Sequence, residues 1–467
     1  MQYGLSKRRL FGLSASVGSR NASRSLKAPV AINSQKVIMD SVDLEVFPEV
    51  DRVGRRAPMR ALLVTPLSPP VEGHDVHAIY KRLRMFVQAL SEVSDTIVML
   101  HFIVPDAPEW NMDPLRLDEQ QSQYWGAKVT VKLVAERKTS QHWWEYLSAV
   151  FSILDRPRFY KFVGEEQVAA ISAALVGTDL VFAHRLVALA PFFRIKRGIP
   201  PLFFDLDDVE HRLKIRTSLA SGSAVKQFYN LLQVPAIYLA ERRAAKIAAC
   251  TFVCSELDRN YLARLGITRV RPVPNALPMP AAVPRVKTEP RIIFLGTYEY
   301  PPNVIAAERL ISQIWPMIHG RNPQARLAIV GRRPDLIPSF ALKPEGVDFT
   351  GVVPELDAIY EGARLVCCPI TVGGGTRVKL VEAAGYAKPI VSTGIGAEGL
   401  SLINGREILI RDTDQEIAEA CLELLDNEEL CARLGSAARQ KAMSLYDVAN
   451  VRVKIAEHFR AGSTQNS

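Results

Sequence analysis

Between positions 373 and 384 the chain reads Gly373-Gly374-Gly375-Thr376-Arg377-Val378-Lys379-Leu380-Val381-Glu382-Ala383-Ala384. A glycine run ahead of a helical pattern frees backbone N–H groups at a helix start. The helix dipole favours an anion there, and glycines let a phosphate approach the backbone closely. Arg377 and Lys379 on the first turn would add charge-assisted hydrogen bonds, and Glu382, about a turn deeper, could accept from sugar hydroxyls. Such a segment suits a phosphate that carries a polyol. An ordinary strand-to-helix turn, with Arg377, Lys379 and Glu382 on a solvated helix face, would leave the same letters.

A second concentration of chemistry is Asp205, Asp207, Asp208 and Glu210, the densest acidic patch. These carboxylates could orient an acceptor hydroxyl or bind a cation, or they could cap a helix and load its first turn with acids. His184 closes an apolar run and reads either as a site residue or as a satisfied histidine at a strand end. His74 and His77, a helical turn apart, read as helix surface. No histidine or cysteine set has metal-ligand spacing, so no metal is expected.

These residues need elements to hold them. Ala61–Thr65, Thr96–Val104, Asp179–Ala183 and Pro201–Asp205 are continuous apolar runs without period-two alternation, as parallel strands covered on both faces require. Ile79, Leu83, Phe86, Val87 and Leu90 recur at helical spacing between the first two. After the proline-rich segment Pro278–Pro284 a second series begins with Arg291–Leu295, Ala325–Val330, Leu365–Cys368 and Pro389–Val391, and Gly296 and Gly331 each end a strand. Strand–helix alternation of this kind predicts α/β domains with doubly wound parallel sheets, which bind ligands beyond the carboxyl ends of their strands. We expect a tail over residues 1–56, a first Rossmann-like domain over 57–284, a second over 285–445, and over 446–467 a C-terminal helix packed back on the first domain.

Composition narrows the function classes. The net charge is +9, but residues 1–36 hold Lys7, Arg8, Arg9, Arg20, Arg24, Lys27 and Lys36 and no acid, which leaves about +2 for the other 431 residues. That excludes a generally basic domain coating nucleic acid. The Ser- and Arg-rich tail reads as disordered and solvated, or as a contact for an anionic membrane. No apolar run approaches the roughly 18 to 20 residues that span a bilayer. Six cysteines without a Cys-x-x-Cys pair read as reduced thiols of a cytoplasmic protein, peripheral at the inner face of the membrane if the tail binds there.

Taken together, the chain from about 60 to 460 resembles glycosyltransferase family 4, whose members have the GT-B fold, two Rossmann-like domains facing a cleft, and transfer a sugar from a nucleotide-activated donor with retention of configuration. The resemblance is carried by Phe294-Leu295-Gly296-Thr297 with Pro302-Asn303, Ile329-Val330-Gly331, Val347-Asp348-Phe349-Thr350-Gly351, the glycine–Arg–Lys–Glu segment, and Gly394-Ile395-Gly396-Ala397-Glu398-Gly399. In the first half it rests on Ala183-His184, Asp207-Asp208 and Val253-Cys254-Ser255-Glu256 with Val273-Pro274-Asn275. It implies that Glu382 binds the donor ribose, as the second glutamate of the family's Glu-x7-Glu motif, and that His184 lies near the reacting sugar. The first glutamate of that motif would fall at 374, where this chain has Gly374. The family often places an Arg and a Lys for the diphosphate where this chain has Thr297-Tyr298-Glu299-Tyr300, so Arg377 and Lys379, or Arg332 and Arg333, are the substitutes.

Our expected donor site is therefore Gly296, Arg332, Arg333, Gly351, Gly373, Gly374, Gly375, Thr376, Arg377, Lys379 and Glu382, with His184 and Glu382 in the catalytic roles and Gly73, Asp207 and Asp208 on the acceptor side. The nucleotide-sugar is a substrate, and no cofactor is required. The partners implied are that donor and a glycan, lipid-linked or polysaccharide acceptor used in cell-surface polysaccharide biosynthesis, with no nucleic acid. Two other readings compete: a GT-B sugar-nucleotide epimerase, which would need acids and bases converging on the sugar, and a catalytically silent binding module, motivated by Gly374.

Overall fold

Apolar runs that are buried on both faces build two parallel sheets. The first holds β1 (Arg60–Thr65), β2 (Thr96–Ile103), β3 (Thr130–Ala135), β4 (Leu180–His184), β5 (Leu202–Asp207), β6 (Cys250–Val253) and β7 (Val270–Pro272), in the order β3-β2-β1-β4-β5-β6-β7. The second holds β8 (Arg291–Leu295), β9 (Arg326–Val330), β10 (Val347–Gly351), β11 (Leu365–Cys368), β12 (Ile390–Ser392) and β13 (Leu409–Ile410), in the order β10-β9-β8-β11-β12-β13. The structure, a computed structural model, describes residues 58–67, 78–104, 107–135, 163–219, 224–281, 289–353 and 355–464. The basic tail, Gly73, His74, His77 and the end of the proline-rich segment lie outside the described residues.

In each sheet the strand order reverses once, between β1 and β4 and between β8 and β11. A crevice opens at such a reversal beyond the carboxyl ends of the strands. His184 ends β4, Gly296 follows β8, and the glycine loop follows β11, so the topology alone places these three at the two crevices.

The helix Ala78–Ser91 buries Leu83, Phe86, Val87 and Leu90 against the first sheet, in the stripe that the sequence spacing predicts. The C-terminal helix Val448–Thr464 lies on the same face. Its Phe459 meets Phe182 at 5.8 Å and Phe203 at 4.9 Å, edge to face, and Val451, Ile455 and Ala456 complete the contact. Burying a phenylalanine contributes about 1.5–3 kcal/mol, so this aromatic group fastens the C-terminal helix to the first sheet. The chain crosses between the halves at two adjacent places, where Leu277 bridges Asp447 and the amide of Val448 donates to the Leu277 carbonyl at 3.0 Å. All six cysteines are free, five of them buried. Among the described residues no helix is long and apolar enough to cross a membrane.

Candidate functional site

The glycine loop meets the first domain directly. A Cβ on Gly375, at φ +66°, would stand 2.3 Å from Asp208 Oδ1, and one on Gly374 would stand 2.8 Å from Leu213 Cδ1. Both positions therefore need glycine for the close approach of the helix Glu210–Leu219, which follows β5. A cleft opens beside this contact, lined by Asp208, Arg212, Arg216, Asp258, Gly374 and Glu398 among others.

Beyond the loop, the helix Val378–Gly385 starts at Arg377. Arg377 is 8% exposed; its Nη1 donates to the carbonyls of Gly374 and, at 3.0 Å, Gly375, while Nε and Nη2 have no hydrogen-bond partner. A buried guanidinium with unused donors costs free energy unless an anion completes it. Lys379 donates to Asn303 Oδ1 at 2.8 Å with its ammonium 4.4 Å from the centre of the Phe294 ring, and burial lowers its pKa to about 8. Asn303 also packs against Gly296, so Lys379 and Gly296 share one corner.

Glu382 lies a turn further on. Its carboxylate accepts from the Tyr360 hydroxyl at 3.3 Å and pairs at 3.7 Å with Lys81 of the first domain. Burial raises its pKa against the pull of Lys81 and Tyr360. Thr376 accepts from Asn275 Nδ2 at 2.9 Å, again across the domain boundary.

Arg332 and Arg333 are not brought to the loop by any described contact. They pair with Glu299 and Asp335 on the surface. Gly351 backs Gly331, whose amide donates to the Gly351 carbonyl at 2.8 Å. Both arginines follow β9 and Gly351 ends β10, the two strands at one edge of the second sheet.

On the first-domain side the acidic patch divides. Asp205 is fully buried and accepts from Arg82 Nη2 at 2.6 Å, Arg82 Nε at 2.9 Å and His184 Nδ1 at 3.1 Å. Burial would raise its carboxyl, but the Arg82 charge and the His184 hydrogen bond outweigh it and hold the pKa at about 2. Asp207, at φ +61°, pairs with Arg185 at 3.2 Å and Arg82 at 3.4 Å and accepts from Cys254 Sγ. The cations that these two acids hold are arginines. Asp208 faces the glycine loop, where burial and the neighbouring Asp207 push its pKa up to about 7.

Sequence reasoning missed Arg82, Lys81 and Tyr360. Arg82 had a signal, since it sits three residues after Ile79 and four before Phe86, inside the apolar stripe where a cation must be paired. It also missed Arg212 and Arg216, which both bind Glu398 across the cleft.

Comparison with known proteins decides what this arrangement belongs to. Residues 289–427, most of the second domain, match the family described as Glycosyl transferases group 1. The chain has a glycosyltransferase domain on a GT-B fold. The chain is similar to a curated relative, an uncharacterized 44.6 kDa protein in the cps region of Klebsiella pneumoniae, 24% identical over 144 residues, which is 29% of this chain and 37% of the relative's length. Among solved structures, HepE from Anabaena in complex with UDP and glucose is similar with a TM-score of 0.56 at 15% identity, over 86% of this chain and 99% of that one. Sucrose-phosphate synthase from Thermosynechococcus elongatus reaches a TM-score of 0.60 at 15% identity, over 86% and 98%. The pneumococcal O-GlcNAc transferase GtfA, in complex with UDP and GlcNAc, reaches 0.56 at 10% identity, over 87% and 99%. These likenesses show that the glycosyltransferase domain and its partner domain form the GT-B architecture.

Proposed function

We propose that this chain is a retaining glycosyltransferase of family 4 that moves a sugar from a nucleotide-activated donor to a glycan, lipid-linked or polysaccharide acceptor in cell-surface polysaccharide biosynthesis. The observation that carries the reading is Arg377, buried at the start of a helix between two facing crevices with two unused donors. The donor diphosphate takes those donors and the Lys379 charge, the ribose takes Glu382, and the sugar lies toward His184. The leaving group is an anion, so fixed N–H dipoles and cations at this point stabilise the charge that develops as the glycosidic bond breaks. No metal is assigned a part. Relatives solved with UDP and a sugar support a UDP-linked donor, and the cps-region relative supports the pathway.

A lipid-linked acceptor fits the surface beyond the cleft. Val225 and Phe228 are exposed on the helix Ala224–Leu231, Leu232 in the turn after it, and Leu239 on the helix Val234–Ile247, which also exposes Arg242 and Lys246. Exposed apolar side chains beside cations suit a cytoplasmic protein that rests on an anionic leaflet.

The test is a thermal-shift screen of UDP-, GDP- and other sugar nucleotides, followed by NMR assignment of the anomer formed on an acceptor. Transfer with retention is the expected result; an interconverted sugar nucleotide without acceptor would make the chain an epimerase, and binding with neither transfer nor donor hydrolysis would make it a silent module. Glu382→Gln should cut turnover by about 10²-fold with the melting temperature kept.

A further inference from the structure

One buried chain of hydrogen bonds joins the two domains through the interior of the first. Arg82 is 1% exposed, and its guanidinium spends every direction: Nε and Nη2 on Asp205, Nη1 on the Val273 carbonyl at 2.8 Å and on Asn275 Oδ1 at 3.1 Å. A guanidinium only donates, so the Asn275 carbonyl must face it, which turns the amide nitrogen outward to Thr376 Oγ1 of the glycine loop. At the other end Asp205 takes the His184 Nδ1 at 3.1 Å.

The chemistry of each link settles the next. Asp205, ionised beside Arg82, can only accept, so Nδ1 of His184 carries the proton. In the neutral ring Nε2 is then a lone pair, and it is buried with no hydrogen-bond partner. An orphaned acceptor of this kind costs about 1–3 kcal/mol and is a place for a hydroxyl donor to complete.

We propose that Arg82 and Asp205 are positioning residues that hold His184 in its Nδ1–H form and leave Nε2 as the acceptor, and that Asn275 ties this alignment to the glycine loop. The inference rests on the glycosyltransferase reading for its ligand but not for its geometry. Thr376 accepts from Asn275, Asn275 accepts from Arg82, and Arg82 donates to Asp205. The contacts therefore run unbroken from the glycine loop to the imidazole.

The experiment uses the full chain with isotope-labelled histidine and the variant Asp205→Asn. An amide can donate to Nδ1, so it releases the constraint on the tautomer while keeping the shape. In the wild type the ¹⁵N shifts assigned to His184, by its loss in His184→Ala, should report Nδ1–H, and in Asp205→Asn they should report Nε2–H. With donor and acceptor, Asp205→Asn should lower kcat by about 10²-fold and leave KM for the donor within about threefold, while Asp205→Glu restores part of the rate. An Nε2–H tautomer in the wild type, or an unchanged kcat in a folded Asp205→Asn, overturns the relay. Wild-type turnover in His184→Ala, with the tautomer switch still present in Asp205→Asn, would instead remove His184 from the reaction and leave the geometry standing.

Discussion

The carboxylate of Glu398, in the loop that follows β12, accepts from Arg212 Nη2 at 2.8 Å across the domain boundary. Arg216 binds the same group, and the two cations hold its pKa below the ordinary value against the effect of burial. Both arginines come from the helix that presses Leu213 against Gly374, so this pair fastens the closed cleft. Glu398→Gln keeps the volume and removes the charge. It should weaken nucleoside diphosphate binding by about fivefold, since a half-buried pair of this type is worth about 1 kcal/mol. Small-angle scattering should show a larger radius of gyration in the ligand-free variant. An unchanged radius together with unchanged affinity would mean that closure does not depend on Glu398.

Arg377→Ala removes the two unused donors. Charge-assisted hydrogen bonds contribute about 1.5–3 kcal/mol, so calorimetry should record a loss of UDP affinity of about 10- to 150-fold with little change in Tm. Wild-type affinity would place the diphosphate elsewhere, and Arg332 and Arg333 would be next to test.

Burial leaves the Lys379 ammonium with a pKa of about 8. A neutral amine attracts a diphosphate less, so the dissociation constant should rise as pH passes about 8, by up to tenfold per unit for a single linked proton. Arginine stays charged over this range. Lys379→Arg should therefore bind with a flat profile between pH 7 and about 9.5; a slope that survives the substitution would assign the titration to another group.

Asp208 carries a pKa raised to about 7, by burial first and by Asp207 next. The unfolded chain releases that proton near about 3.9. Between the two values the folded protein binds a proton that the unfolded chain has lost, so stability falls as pH rises from about 4 to about 7 and then levels off. Asp208→Asn removes the penalty. Its Tm should exceed that of the wild type at pH 8 and match it at pH 4, and an equal offset at both pH values would show that Asp208 acts through packing alone.

Much of this molecule is legible in its letters. Runs such as Ala61–Thr65 and Leu365–Cys368 are apolar without alternation because both faces of a central parallel strand are covered, so periodicity finds them and implies the helices that cover them. The edge strands escaped that logic: β10 alternates between half-buried and exposed residues and β13 spans two residues, Leu409–Ile410. The glycine run was legible as a turn into a helix, which begins at Val378.

What the letters could not settle is which residues share an atom-to-atom contact over long separations. Arg82, Asp205, Asn275 and Thr376 come from one helix, one strand and two loops of two domains, and nothing local to any of them names its partner. Gly374 shows the difference most sharply. Read in line, it is a missing carboxylate; in the folded chain it is the space that Leu213 needs, with Asp208 against Gly375 beside it. Helix and strand follow from interactions within a few residues, which a pattern of side chains encodes directly. The closure of one domain on another depends on the shapes of two finished surfaces, and those exist only once the whole chain has packed.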